Sequence, residues 1–116
     1  MGKIKNKLAY FRKKADKAMQ EYFREQELPC EGCGNPATCM HHYFPKSMAS
    51  ALRYDENNLV ATCPGCHFSH HNGNPNLHAK VLAKRGQEWH NDLLSRKEII
   101  TKPSQSYYKE MIEKYT

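Results

Sequence analysis

Cys30-Glu31-Gly32-Cys33 and Cys63-Pro64-Gly65-Cys66 are two C-x2-C knuckles separated by 29 residues, and their reading decides the fold. Each brings two thiols within one short turn, with Gly32 and Gly65 read as the residues that let both sulfurs face one ion. Four thiolates make a closed tetrahedral zinc site. The spacer is longer than a zinc ribbon needs, so an independent element is expected between the knuckles. The chain has five cysteines, and an odd number without a secretion signal argues against a disulfide framework and for metal-held thiolates in a reducing compartment. A redox C-x-x-C should open a helix behind a strand, a context the first knuckle lacks. Cys39 is left over and reads as a small buried strand residue, with a fifth ligand as the alternative.

Between the knuckles, Gly34-Asn35-Pro36 marks a turn and residues 37–44 read as a short strand, which Pro45-Lys46-Ser47 breaks. A polar loop runs through Arg53 and Asp55, and Asn58-Leu59-Val60-Ala61-Thr62 reads as a second strand. From Pro64, the run Cys66-His67-Phe68-Ser69-His70-His71 predicts a helix closed by Asn72-Gly73. Neighbours on a strand point to opposite faces, so His41 and His42 should divide their labour. On the helix, His67 and His71 stand four apart on one face, the spacing for two ligands to one metal, with His70 expected to point elsewhere. A neutral imidazole at His42, titrating near neutrality, suits general-base work.

The flanks are different in kind. Eighteen Lys and Arg against twelve Asp and Glu give a net charge of +6. Residues 1–29 carry +4, residues 30–78 carry −1 and residues 79–116 carry +3, so a near-neutral centre holding every cysteine and six of the seven histidines lies between two basic arms. Such arms attract polyanions, with a merely solvated surface as the alternative. No apolar run is long enough to span a bilayer, and Met1-Gly2-Lys3-Ile4-Lys5-Asn6 has neither the apolar stretch of a signal peptide nor the Ser or Thr of a myristoylation signal. A cytoplasmic location without membrane contact is expected.

In the first arm, Ile4, Leu8, Phe11, Ala15, Ala18, Met19, Tyr22 and Phe23 recur at helical spacing, opposite Lys5, Lys7, Arg12, Lys13, Lys14 and Lys17, and Pro29 is expected to end the helix. In the second, Asn74-Pro75 opens a helix with Leu77, Val81 and Leu82, which Gly86 interrupts; Trp89, Leu93 and Leu94 continue the pattern. Ser104 is placed to cap a last helix bearing Tyr108, Met111, Ile112 and Tyr115. The aromatic residues read as packing. The expected fold is α+β, mostly helical, in a single domain over 1–116: a basic amphipathic helix in 1–29, a zinc-stapled ββα element in 30–73 and C-terminal helices in 74–116.

His41-His42, then Asn58-Leu59-Val60, then Cys63-Pro64-Gly65-Cys66-His67 follow the order and approximate spacing of the HNH, or His-Me finger, nucleases, and the chain resembles that family. Lys13-Lys14-Ala15-Asp16-Lys17, Leu52-Arg53-Tyr54-Asp55-Glu56-Asn57-Asn58 and Lys84-Arg85-Gly86-Gln87-Glu88 are similar to stretches of the phage recombination-protein NinG family. His67 stands where that family usually has Asn, and His41 where it has a small residue. The resemblance implies a single-metal endonuclease that leaves 5′-phosphate and 3′-hydroxyl ends. His41 would hold the catalytic cation and His42 would be the general base. Asn58 would brace the loop carrying it, although Asn57 competes for that place. His67 and, by spacing, His71 complete the expected ligand set.

The expected cofactors are one structural zinc on Cys30, Cys33, Cys63 and Cys66 and a divalent catalytic cation, magnesium first, with manganese, nickel or zinc as alternatives. The expected partner is DNA, duplex or branched, met by a monomer or a dimer. Phosphate contacts are assigned to Lys13, Lys14 and Lys17, to Lys46 and Arg53 in the loop, and to Lys80, Lys84 and Lys97 downstream. The competing readings are a non-catalytic zinc-stabilised DNA- or junction-binding module and a zinc-bridged protein-interaction domain. The second adjacent histidine, His42, favours the enzyme, because a purely structural finger has no use for it.

Overall fold

Leu8, Phe11, Ala15, Ala18, Met19 and Phe23 lie along one side of helix α1, Gly2–Glu25. The computed structural model describes residues 2–99 and 103–116, with side chains from residue 7 onward, so Ile4 and Lys5 of the expected helix faces lie outside the described side chains. The helix stops at Glu25, before Pro29 is reached. The amides of Gln26 and Glu27 turn back to the carbonyls of Phe23 and Arg24 at 3.1 and 3.3 Å, and Glu27 takes a φ of 53°. A tightened last turn and a left-handed residue thus end the helix where proline was expected to.

Strands β1 (Cys39–His42) and β2 (Leu59–Thr62) form an antiparallel pair with His41 opposite Val60 and His42 opposite Leu59. The first strand is shorter than residues 37–44. At its start the Ala37 amide donates to the Leu28 carbonyl, and at its end the Phe44 amide donates to the Asn58 side chain, so neither extends the ladder. Asn58 itself lies in a 3-10 turn, Glu56–Asn58, capped by the Asp55 carboxylate.

Four further helices follow: α2 (Pro64–His71), α3 (Asn76–Arg85), α4 (Gln87–Lys97) and α5 (Gln105–Tyr115). Gly86 at φ 97° separates α3 from α4. Ser104 caps α5 by accepting from the Tyr107 amide at 3.1 Å, as a serine at that position should. The result is a mostly helical α+β fold with a small two-stranded sheet. No helix among the described residues is long and apolar enough to cross a membrane.

The sheet divides two apolar clusters, because alternate residues of β2 face opposite ways. Leu59 packs with Ala15, Met19, Tyr108 and Tyr115 between α1 and α5. Val60, on the other face, packs with Tyr43, Leu52, Leu77, Val81 and Leu93 from the loop, α3 and α4. The aromatic residues at 43, 54, 108 and 115 are buried, in keeping with their reading as packing.

One polar contact ties α1 to the loop. Asp16 accepts from Arg53 Nε at 2.9 Å, from a second Arg53 nitrogen at 2.5 Å and from the Tyr54 hydroxyl at 2.8 Å. Burial raises the Asp16 pKa, but these hydrogen bonds outweigh it and hold the carboxyl below its usual value. A depressed carboxylate stabilises fully above its unfolded pKa of about 3.9, and that stability is lost as pH falls through the folded value. Asp16→Asn should therefore cost about 1–3 kcal/mol at neutral pH and flatten the acid limb of the stability profile. Urea unfolding at neutral and acid pH checks this; equal midpoints for both proteins at neutral pH would refute it.

Candidate metal and catalytic centre

The first knuckle is a tight turn in which the Gly34 amide donates to the Cys30 carbonyl at 2.8 Å and the Cys30 amide to the Asn35 carbonyl at 2.7 Å. In the second, Cys63 is the N-cap of α2 and its sulfur accepts from the Cys66 amide at 3.4 Å, with Pro64 in the first turn. The Glu31 amide donates to the Ala61 carbonyl at 2.9 Å, which docks one knuckle on the strand leading to the other. As a result the sulfurs of Cys30, Cys33, Cys63 and Cys66 all lie within 4.8 Å of one another, Cys33 and Cys63 at 3.5 Å. A zinc tetrathiolate with bonds of about 2.3 Å needs sulfurs roughly 3.8 Å apart. The four cysteines stand close enough to bind one zinc ion.

Gly32 is required for a different reason from the expected one. Neither Gly32 nor Gly65 takes a positive φ; the left-handed residue of the first turn is Gly34 at 83°. A Cβ on Gly32 would come within 2.9 Å of the Cys66 sulfur, so glycine is there to admit the second knuckle. Burial pushes Cys30 up, but backbone amides of Cys63, Gly32 and Cys33 pull it to about 7. Burial and the neighbouring thiols push Cys66 up to about 12. Thiols this close cannot all ionise unless a cation takes the place of their protons.

Beyond the knuckles, His41 on β1 is only 8% exposed and sits among four other imidazoles. Its Nε2 lies 2.8 Å from His78 Nε2, and its ring is 4.6 Å from that of His70 and 5.4 Å from that of His67. His67 and His71 approach Nε2 to Nε2 at 3.0 Å. Donor nitrogens of the three expected ligands, His41, His67 and His71, all fall within 4.8 Å of one another. His70 does not point elsewhere: it stacks on His78 at 4.2 Å. Residues three apart share a helix face as well as those four apart, so His70 follows His67 into the cluster. Burial and the surrounding imidazoles push His41 down to about 3 and His78 to about 4, leaving both rings neutral, the form that ligates metal.

Cys39 is half-buried rather than buried and stands apart from the other cysteines. Its sulfur is 3.2 Å from the Thr62 hydroxyl and 3.6 Å from His67 Nδ1.

His42 turns the other way. Its Nε2–H donates to the Arg53 carbonyl at 2.8 Å, a partner that can only accept, so Nδ1 carries the free lone pair. Burial lowers its pKa from the usual value. His41 and His42 nonetheless border one cleft of about 560 Å³, together with Gln20, Lys46, His67 and His71. Behind it, Asn58 is fully buried, accepts from the Phe44 amide at 2.8 Å and donates to the carbonyls of Phe44 and Leu52 at 3.0 and 3.4 Å. It clamps the segment after His42 to the loop carrying Arg53. Asn57 is exposed, and its carbonyl serves Arg85 and Trp89 instead.

The basic residues are scattered. Arg53, expected to hold a phosphate, is committed to Asp16, and that ion pair leaves its side chain 18% exposed. Lys80 donates to the Gly32 carbonyl at 2.7 Å and buttresses the first knuckle. Lys14 and Lys17 line a groove between α1 and α5 beside Glu21 and Glu25, and Lys97 lies over the Phe44 ring. Lys13 and Lys84 are exposed on α1 and α3. Of the expected phosphate contacts, Lys46 is the one that borders the histidine cleft.

Sequence reasoning missed His78, Asp16 and the role of the Arg53 carbonyl. His78 left a signal: it precedes the buried Val81 by three residues, hence faces inward on α3.

A family model described as Bacteriophage Lambda NinG protein matches residues 2–116. The chain is 34% identical over 86 residues to Protein ninG of Escherichia phage 933W, covering 69% of this chain and 42% of that protein. It is 34% identical over 82 residues to Protein ninG of Salmonella phage P22, covering 66% and 40%. The chain matches less than half the length of these relatives. No solved structure matches.

Proposed function

The chain belongs to the NinG family of phage proteins, and on that premise we propose that it is a metal-dependent endonuclease of the HNH type that hydrolyses DNA phosphodiester bonds during phage recombination in the host cytoplasm. The observation that carries the reading is His42. Its Nε2–H is held by a main-chain carbonyl, so Nδ1 is fixed as a proton acceptor beside a cleft whose other histidines suit a cation. His42 takes a proton from water, the water oxygen attacks phosphorus, and the bond to the 3′ oxygen breaks in line. Asn58 acts on this step through position, holding the backbone on either side of the base. His41, His67 and His71 would hold the divalent cation, and Lys46 adds positive charge at the rim. When bound, that cation supplies Lewis-acid stabilisation of charge on the phosphate and the leaving oxygen.

Supercoiled plasmid and branched DNA, incubated with zinc-loaded protein and magnesium or manganese, test the reading. Binding without metal-dependent nicking of either substrate would instead favour a non-catalytic junction-binding module.

The affinity for DNA is expected to come partly from α1. Each lysine that neutralises a phosphate releases counterions, so Lys13, Lys14 and Lys17 all replaced by Ala should flatten the log–log salt dependence of duplex binding by roughly one unit per contact. Titration at several salt concentrations measures it. An unchanged slope would confine DNA contact to the cleft and its Lys46.

A further inference from the structure

The geometry points to a second metal-binding set, His41–His70–His78, that takes a borderline transition cation of the zinc and nickel class. It is separate from the set made by His41, His67 and His71, and it holds whether or not the protein cleaves DNA. Donor nitrogens of His41, His70 and His78 lie within 4.8 Å of one another. A tetrahedral ion with metal–nitrogen bonds of about 2.0–2.1 Å wants nitrogens roughly 3.3 Å apart, so modest side-chain rotations close the set. His41 and His78 face each other nitrogen to nitrogen at 2.8 Å, with no carboxylate or carbonyl between them.

The third member supplies an independent sign. His70 Nδ1 is buried without any hydrogen-bond partner, the one such side-chain nitrogen or oxygen among the described residues. A buried polar atom left unpaired costs free energy, and a coordinated ion would satisfy it. Three imidazoles with no carboxylate favour zinc, nickel or copper over magnesium, which prefers oxygen ligands and keeps its water. The set also draws on three elements, β1, α2 and α3, so an ion there would cross-link the finger to the helix behind it. Because His41 belongs to both sets, a cation held by His70 and His78 competes with one held by His67 and His71.

Nickel(II) titrated into zinc-loaded protein separates the two sets. A His67→Ala/His71→Ala variant should still take one nickel ion per chain, and adding His78→Ala should weaken that binding by at least about tenfold, since even outer partners of a metal ligand are worth that much. No nickel bound by the double variant, or equal binding after His78→Ala, would overturn the proposal. A measurement on the unmutated protein guards against variants that fail to fold. Zinc added beyond the equivalent held by the cysteines should shift the imidazole nitrogen resonances of His70 and His78. If only those of His67 and His71 move, the second set does not exist.

Discussion

Cys63→Ser should empty the cysteine site and abolish cooperative folding of the finger. Cys63 holds three posts at once: it offers a sulfur to the zinc cluster, caps α2 and joins β2 to that helix. The sheet it follows has four residues per strand, too little to stand alone. Zinc binding in small metallodomains is folding free energy, with apparent values of about 10–16 kcal/mol in zinc-finger peptides, against a total stability of about 5–15 kcal/mol for an ordinary domain. Bound zinc should fall from one ion per chain to almost none, and the thermal transition should broaden or disappear. Cys39→Ser, outside the cluster, should keep both zinc and transition. A Cys63→Ser protein that melts at the parental temperature would remove the zinc staple from the account.

His42→Ala carries the second large effect. Removing a positioned general base typically costs two to four orders of magnitude in rate, about 10²–10⁴-fold. Zinc content, fold and DNA affinity should change little, because His42 makes one hydrogen bond, to the Arg53 carbonyl, and that carbonyl borders a cleft that water enters. His67→Ala should behave differently, raising the concentration of divalent cation needed for cleavage. Rates are compared on plasmid under matched metal with independently purified preparations. Equal cleavage by His42→Ala and the parent would show that His42 is not the base.

These two residues also mark how far the chain could be read in advance. The zinc knuckles, the ββα order between them, the cap at Ser104 and the break at Gly86 were legible because each depends on residues a few positions apart. Short-range geometry fixes a turn, a cap or a helix face before anything packs on it. The division between His41 and His42 follows from the same kind of rule, the alternation of a strand.

Sequence alone determined the local pieces: two thiol pairs, two short strands, an adjacent histidine pair and a helix carrying further histidines. Tertiary structure decided what those pieces meet. His41 finds His78 across 37 residues of chain only because α3 returns across α2, and Arg53 is withdrawn from solvent only because α1 brings Asp16 to it. Asn58 rather than Asn57 clamps the loop because the 3-10 turn buries one and exposes its neighbour. Such contacts join residues whose separation along the chain carries no periodic signal; packing sets them, and a buried polar group then takes whichever partner packing supplies.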